Sequence, residues 1–355
     1  MAGMFTIGET HIRPGVYFNI DKEDKSAVVS AVDGVVGVLF RSDFGPVGKL
    51  VELNREDGYE GMFGTAQTTD ALKEAFAGGA KTILAYRLGT QGECAKVPLK
   101  SSEDTELVTL KTLYPGDRKF SVTIRKKLSD DTMKQCIIYS GVDQVEKYEF
   151  PAGEKEASGL VEAVGRSQFF TAALASEADG ILADVSQAVM EGGTNPVVTT
   201  QSYADGLAAV ESSYFNTICV DTEEQAVHLL VQAFLARVSE AGQLGMAVIA
   251  EKKTVDLEDR IKHAADYNDA AVVYVVNANA IVDGAEYDGY QTAARIAGMV
   301  AAGSANTSLT HTVLDGFTEL PSPMTPSEMN RAERKGGLVL SYNTDRQVWI
   351  DNAIN

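Results

Sequence analysis

The chain has 355 residues, 45% hydrophobic and 23% charged, which excludes wholesale disorder and supplies apolar material for two or three domains. Its formal charge of -19, from 50 acidic and 31 basic residues, opposes attraction to phosphate backbones, so nucleic acid is not an expected partner. No stretch approaches the run of about 18 apolar residues that a membrane helix requires, and the amino terminus lacks a basic region followed by an apolar one, so neither membrane insertion nor secretory export is expected.

Residues 1–15 are polar and broken at Pro14 and Gly15, after which Val16, Tyr17, Phe18 and Ile20 form a short strand pattern; 1–22 is expected to be an extended arm. Residues 23–92 read as a small α/β region. Val35 to Phe40 is a continuous apolar run of buried-strand type, ended by the turn residues Ser42-Asp43-Phe44-Gly45-Pro46. Leu72, Ala75 and Phe76 recur at helical spacing before Gly78 and Gly79, and Lys81 to Leu88 reads as the next strand. From Glu93 to Tyr148 the pattern changes to short alternating runs, such as Glu106 to Lys111, Phe120 to Arg125 and Gln135 to Tyr139, punctuated by Pro115-Gly116-Asp117 and Gly141-Val142-Asp143. Period-two runs with frequent turns predict an antiparallel β domain at 93–150, inserted because helix-rich sequence resumes at Lys155.

Residues 151–320 carry alternating helices and strands, with Gly192-Gly193-Thr194-Asn195-Pro196 as the junction back to the main domain. Ser202 with Asp205 and Thr222 with Gln225 read as capping pairs, the second before a helix whose Val227, Leu230, Val231, Phe234 and Val238 share one face. The runs Phe215 to Val220, Met246 to Ala250 and Ala271 to Val276 have the near-continuous apolar character of strands buried on both faces of a mostly parallel sheet. A further helix covers Tyr290 to Ala302. Residues 321–355 begin another region: Thr325-Pro326-Ser327-Glu328 starts a helix, and Leu338 to Tyr342 and Gln347 to Ile350 flank Asn343-Thr344-Asp345 as a hairpin. The fold class is thus α/β, a mixed, mostly parallel core with an inserted antiparallel β domain and an extended N-terminal arm.

A parallel sheet often hosts nucleotides, and a Rossmann-like enzyme or nucleotide-binding protein is the rival reading of the region after Gly193. No G-x-G-x-x-G follows a strand, and Gly78-Gly79-Ala80-Lys81-Thr82 lacks the glycine spacing of a phosphate loop and precedes a strand where a helix is needed. Gly298 to Gly303 has the glycine interval without the Lys-Ser/Thr, and reads as a small-residue packing face. Asp256, Glu258 and Asp259 sit at a helix start, where acidic side chains favour the dipole. The cysteines Cys94, Cys136 and Cys219 and the histidines His11, His228, His263 and His311 are scattered without metal-ligand spacing, and no serine lies in G-x-S-x-G. No enzyme activity, cofactor or metal is expected.

Arg13-Pro14-Gly15-Val16-Tyr17, then Gly34 to Phe40 with Phe44-Gly45-Pro46-Val47, Met62-Phe63-Gly64, Phe76-Ala77-Gly78-Gly79 and Thr82 to Arg87 occur in an order that resembles contractile phage tail sheath proteins. Gly192 to Asn195, Tyr203 to Leu207, Phe215 to Ile218, Tyr290 to Ser304, Leu309 to Val313 and Arg331 to Leu340 resemble that family's Gly-Gly junction, helix, first core strand, closing helix, strand and G-x-L-x-L element. The resemblance implies a structural subunit that polymerises around a tail tube and contracts without nucleotide hydrolysis. It implies other copies of itself, the tube protein, and baseplate and tail terminator proteins as partners, with assembly in the host bacterial cytoplasm before incorporation into a virion or tail particle. A type VI secretion sheath is the related alternative. Arg13, Pro14, Val16, Tyr17 and Phe18 are implied as a subunit-contact arm, and Tyr342 and Trp349 as a C-terminal contact hairpin. The family continues past that hairpin into a part this sequence does not contain.

Overall fold

The computed structural model describes residues 2–4, 16–18, 34–54, 58–175, 179–304 and 307–353. Strands β1 (Ala2–Met4) and β2 (Val16–Phe18) pair in parallel as a two-stranded ribbon outside the main sheet. The body begins with β3 (Val35–Phe40), β4 (Leu50–Asn54), α1 (Tyr59–Phe63), α2 (Asp70–Ala77) and β5 (Thr82–Arg87). A β-rich region follows: β6 (Lys96–Lys100), β7 (Glu106–Thr112), β8 (Ser121–Lys127), β9 (Asp130–Ser140), β10 (Asp143–Pro151), α3 (Glu156–Val164), β11 (Phe170–Leu174) and β12 (Val185–Val189).

The chain then returns to the body through α4 (Thr200–Val210), β13 (Thr217–Val220), α5 (Gln225–Glu240), β14 (Met246–Ile249), α6 (Leu257–Tyr267) and β15 (Val272–Val275). A small sheet of β16 (Ala280–Val282), β17 (Ala285–Tyr287) and β18 (Phe317–Glu319) brackets α7 (Gly289–Ala302). The chain closes with α8 (Pro326–Arg334), β19 (Gly337–Tyr342) and β20 (Val348–Asn352).

The body is an eight-stranded sheet ordered β20-β19-β15-β14-β13-β3-β5-β4. Its six inner strands are parallel, and β4 and β20 add antiparallel edges. The near-continuous apolar runs are explained by the two cores this sheet separates. Val36, Val38 and Phe40 face α2 and α7, whereas Val35 and Leu39 face the side covered by α4, α5 and α6. The expected mostly parallel α/β class is what the chain adopts.

The β-rich region has its own core, including Val108, Leu110, Val122, Ile138 and Phe150. One sheet runs β10-β9-β8-β12 and the other β11-β7-β6, and they join where the Lys96 N–H donates to Glu191 O (2.8 Å) and the Ala183 N–H to Lys100 O (2.8 Å). Helix α3 lies against both β10 and β11. This core includes Leu160, Val164 and Phe170 and ends at Met190, past the boundary at 150 expected from the sequence. The reason is that β11 and β12 are short and rich in small or polar residues, so their alternation is faint, and α3 buries its apolar face on the strands before it.

Two capping expectations are corrected. Helix α4 is capped one turn earlier than Ser202, by Thr199, whose N–H donates to Ser202 Oγ (3.1 Å). Helix α5 begins at Gln225 with Glu224 as N-cap, and no Thr222–Gln225 box forms because Thr222 lies two residues before that cap, its Oγ accepting from the Glu224 N–H (3.3 Å). The Thr325–Glu328 box does form, with the Thr325 N–H donating to Glu328 Oε2 (2.7 Å) and Pro326 at the first helical position.

Candidate subunit-contact surfaces and the sheet crevice

In a parallel sheet a ligand is held at the carboxyl ends of the strands, where crossovers depart in opposite directions. That point lies between β3, which leads through α2 to β5, and β13, which leads through α5 to β14 on the other face. The protein's own side chains occupy it. Asp221, wholly buried, accepts from the Arg41 N–H (2.5 Å), from Arg41 Nε (2.8 Å) and, on its other oxygen, from the Tyr203 hydroxyl (2.7 Å). A second Arg41 nitrogen donates to Asp221 O (2.9 Å).

The N-terminus of α7, the element best placed to receive a phosphate, is likewise occupied. Glu223 Oε1 accepts from the Gly289 N–H (2.6 Å), and Asp288 caps the helix in a box with Gln291, whose Oε1 accepts from the Asp288 N–H (2.9 Å). Burial raises the Glu223 carboxyl above the ordinary range, opposed by the Gly289 N–H. A phosphate would have to displace these carboxylates. The Gly78–Thr82 stretch caps α2 and leads into β5 without opening a helix. Among the described residues no group of three His, Cys, Asp or Glu side chains could hold a metal ion, and no helix is long and apolar enough to cross a membrane.

The contact residues expected from the sequence are distributed as follows. Arg13 and Pro14 lie outside the described residues, and Val16, Tyr17 and Phe18 are β2, in register with Ala2, Gly3 and Met4 of β1. In the hairpin β19–β20, Ser341 pairs with Trp349 and Tyr342 with Val348, so Tyr342 and Trp349 point to opposite faces and are not brought together. Trp349 stacks on the His311 ring (4.2 Å between centroids) and donates from Nε1 to Ser341 Oγ (2.7 Å). Tyr342 is 38% exposed, and its hydroxyl accepts from the Leu320 N–H (2.6 Å).

Sequence reasoning missed what covers the outer edge of β20. Leu309 to Val313, expected to be a strand, makes only a single bridge, Val313 to Trp349. The His311 N–H donates to Ile350 O (2.7 Å), the Ile350 N–H to Thr312 O (3.0 Å) and the Leu314 N–H to Val348 O (2.9 Å). This segment therefore protects the edge that would otherwise be open to another strand.

Comparison with known proteins places this architecture. A family model described as phage tail sheath protein central domain matches residues 197–355, the stretch from just before α4 through β20. Two proteins of Bacillus subtilis (strain 168), the phage-like element PBSX protein XkdK and the uncharacterized protein YqbK, are each 24% identical to this chain, over 99% of it and 74% of their own length. The crystal structure of a sheath tail protein from Desulfitobacterium hafniense superposes with a TM-score of 0.74 at 22% identity, over 95% of this chain and 74% of that one. That of the sheath tail protein Lin1278 from Listeria innocua gives 0.68 at 23%, over 91% and 69%. The class is thus a sheath-type mixed α/β fold. The resemblance read from the sequence holds, and residues 197–355 are similar to the phage tail sheath central domain.

Proposed function

We propose that this chain is a structural subunit of a contractile tail sheath, polymerising helically around a tail tube and contracting to drive it through a target envelope without nucleotide hydrolysis. The observation that carries this reading is the sheath central-domain match over residues 197–355. The filled crevice supports a non-enzymatic role, because the groups that would grip a nucleotide are spent on one another. In this reading the partners are further copies of the chain, the tube protein, and baseplate and tail terminator proteins, and the subunit passes from the host cytoplasm into the tail particle. Arg13, Pro14, Val16, Tyr17 and Phe18 belong to a subunit-contact arm, and the faces carrying Tyr342 and Trp349 are contact surfaces. An incoming strand at β20 would first have to displace 311–314. The arm spans 1–22, the first α/β region 23–92, the β-rich region 93 through Met190, the core domain the residues after it to 320, and a further region starts at 321.

Negative-stain microscopy of the chain produced together with the tube protein of its particle tests this. Tubes with a regular axial repeat are expected. Compact monomers at every protein concentration, with the tube protein unsheathed, would overturn the assignment.

A further inference from the structure

The chain passes between the body and the β-rich region twice, and the two crossings pair with each other. The Thr90 N–H donates to Val197 O (3.0 Å) and the Val197 N–H to Thr90 O (2.8 Å), with a similar exchange between Glu93 and Thr194 (3.2 and 3.0 Å). A two-stranded ribbon containing Gly89, Gly92, Gly192 and Gly193 is what a hinge is made of, and relative motion is the default for two cores joined in this way. The contacts around the ribbon contradict that default.

Phe44 leaves the body on the loop after its central strand β3, yet its ring is buried in the core of the β-rich region. It packs edge-on to Phe120 (5.1 Å) and Tyr114 (5.8 Å) and lies 6.0 Å from Phe169. Arg87, at the end of β5, is wholly buried and, among the described residues, makes no ion pair. Its guanidinium is satisfied by main-chain carbonyls from both sides: Nε and a terminal nitrogen donate to Ser42 O (3.2 and 2.7 Å), and the other terminal nitrogen to Gly45 O and Pro115 O (both 2.7 Å). The backbones themselves touch. The Arg118 N–H donates to Asp43 O (3.2 Å), and a Cβ on Gly116 would lie 1.9 Å from the same oxygen. Arg118 also lays its guanidinium over Phe44 and Phe120 and donates to Glu60 O (3.1 Å).

We infer that Phe44 and Arg87 lock the β-rich region to the α/β body, so that the two cores move as one rigid lever and the glycine ribbon does not act as a hinge. Any rotation about the ribbon withdraws a phenyl ring from a packed core and strips a buried cation of a carbonyl, and close-packed contacts of this kind do not deform gradually. The inference holds whether or not the chain builds a sheath.

Pulsed electron spin resonance on the full chain tests it. Labels go on Val142→Cys, 92% exposed at the β9–β10 turn, and Leu244→Cys, 43% exposed on the far side of the body, with Cys94→Ser removing the half-buried native thiol. The parent chain is expected to give one narrow distance distribution, and Phe44→Ala or Arg87→Met to lose it. A broad or two-peaked distribution in the parent overturns the inference, and that measurement stands even if a variant fails to fold. Distributions that stay narrow in both folded variants also overturn it, because the rigidity would then come from elsewhere.

Discussion

Gly78 and Gly298 set how closely α2 and α7 approach. A Cβ on Gly298 would lie 2.1 Å from Ala75 O, and one on Gly78 2.1 Å from Arg295 O, so the obstruction is backbone that cannot turn aside. Gly298→Ala would gain up to about 1 kcal/mol of helix propensity but force the helices apart, and overpacking costs about 1–3 kcal/mol. Net destabilisation of about 1–2 kcal/mol is expected in urea unfolding; a stabilised variant would show that the helices slide freely. The same helix pair is tied by Glu74, wholly buried, which accepts from Arg295 Nε (2.7 Å) and the Tyr287 hydroxyl (2.7 Å). The small-residue face was legible in the sequence, but its partner 220 positions away was not.

Titratable groups buried in the body add two expectations. His228 is buried on α5 with only Nε2 bonded, and burial holds its imidazole below the usual value against the Thr222 carbonyl. The unfolded chain then binds the proton more readily, so stability is full above the unfolded pKa of about 6.5 and falls as pH drops through it, by at most about 1.4 kcal/mol per pH unit. His228→Gln should flatten the fall in melting temperature between about pH 7.5 and about pH 5; an unchanged slope would assign the acid sensitivity to other groups. Burial also pushes the Cys136 and Cys219 thiols up to about 12. A thiol reagent at mildly alkaline pH should therefore modify Cys94 in the native protein and reach the other two only after denaturation.

At the scale of elements, helix starts separate what local sequence decides from what it merely suggests. Thr325, Pro326 and Glu328 satisfy every local requirement, and the box forms as written. Thr222 and Gln225 satisfy the same pattern, yet the box is absent because the chain enters α5 from Glu224, whose N–H donates to the Thr222 hydroxyl two residues before this cap. Thr325→Ala should thus cost about 1 kcal/mol, read as faster hydrogen exchange in α8. Thr222→Ala, which removes a hydroxyl that accepts from the Glu224 N–H at 3.3 Å but closes no box, should cost clearly less. Equal effects would mean that the two sites are capped alike in solution.

For the whole molecule, the crevice between β3 and β13 makes a direct forecast. A ligand at a hundred times its dissociation constant stabilises a protein by about 2.7 kcal/mol, which shifts a melting curve visibly. With Asp221 and Glu223 already holding Arg41 and the start of α7, ATP, NAD and EDTA should each leave the melting temperature unchanged. A reproducible shift with any of them would revive the nucleotide-binding reading.

What the sequence by itself determined follows from local physics. Continuous Val/Ile runs specify strands buried on both faces, helical spacing specifies α2, α5 and α7, and period-two runs specify β7 to β9, because each signal resides in neighbouring residues and survives any arrangement of the rest. Tertiary structure alone decided that Phe44 belongs to the core of a region beginning some fifty positions later, that Arg87 is satisfied without a carboxylate, that residues 311–314 seal β20, and that Tyr342 and Trp349 face apart. These are contacts between segments distant in the chain. The free energy that selects them comes from burial and hydrogen bonding at surfaces that exist only once both segments have folded.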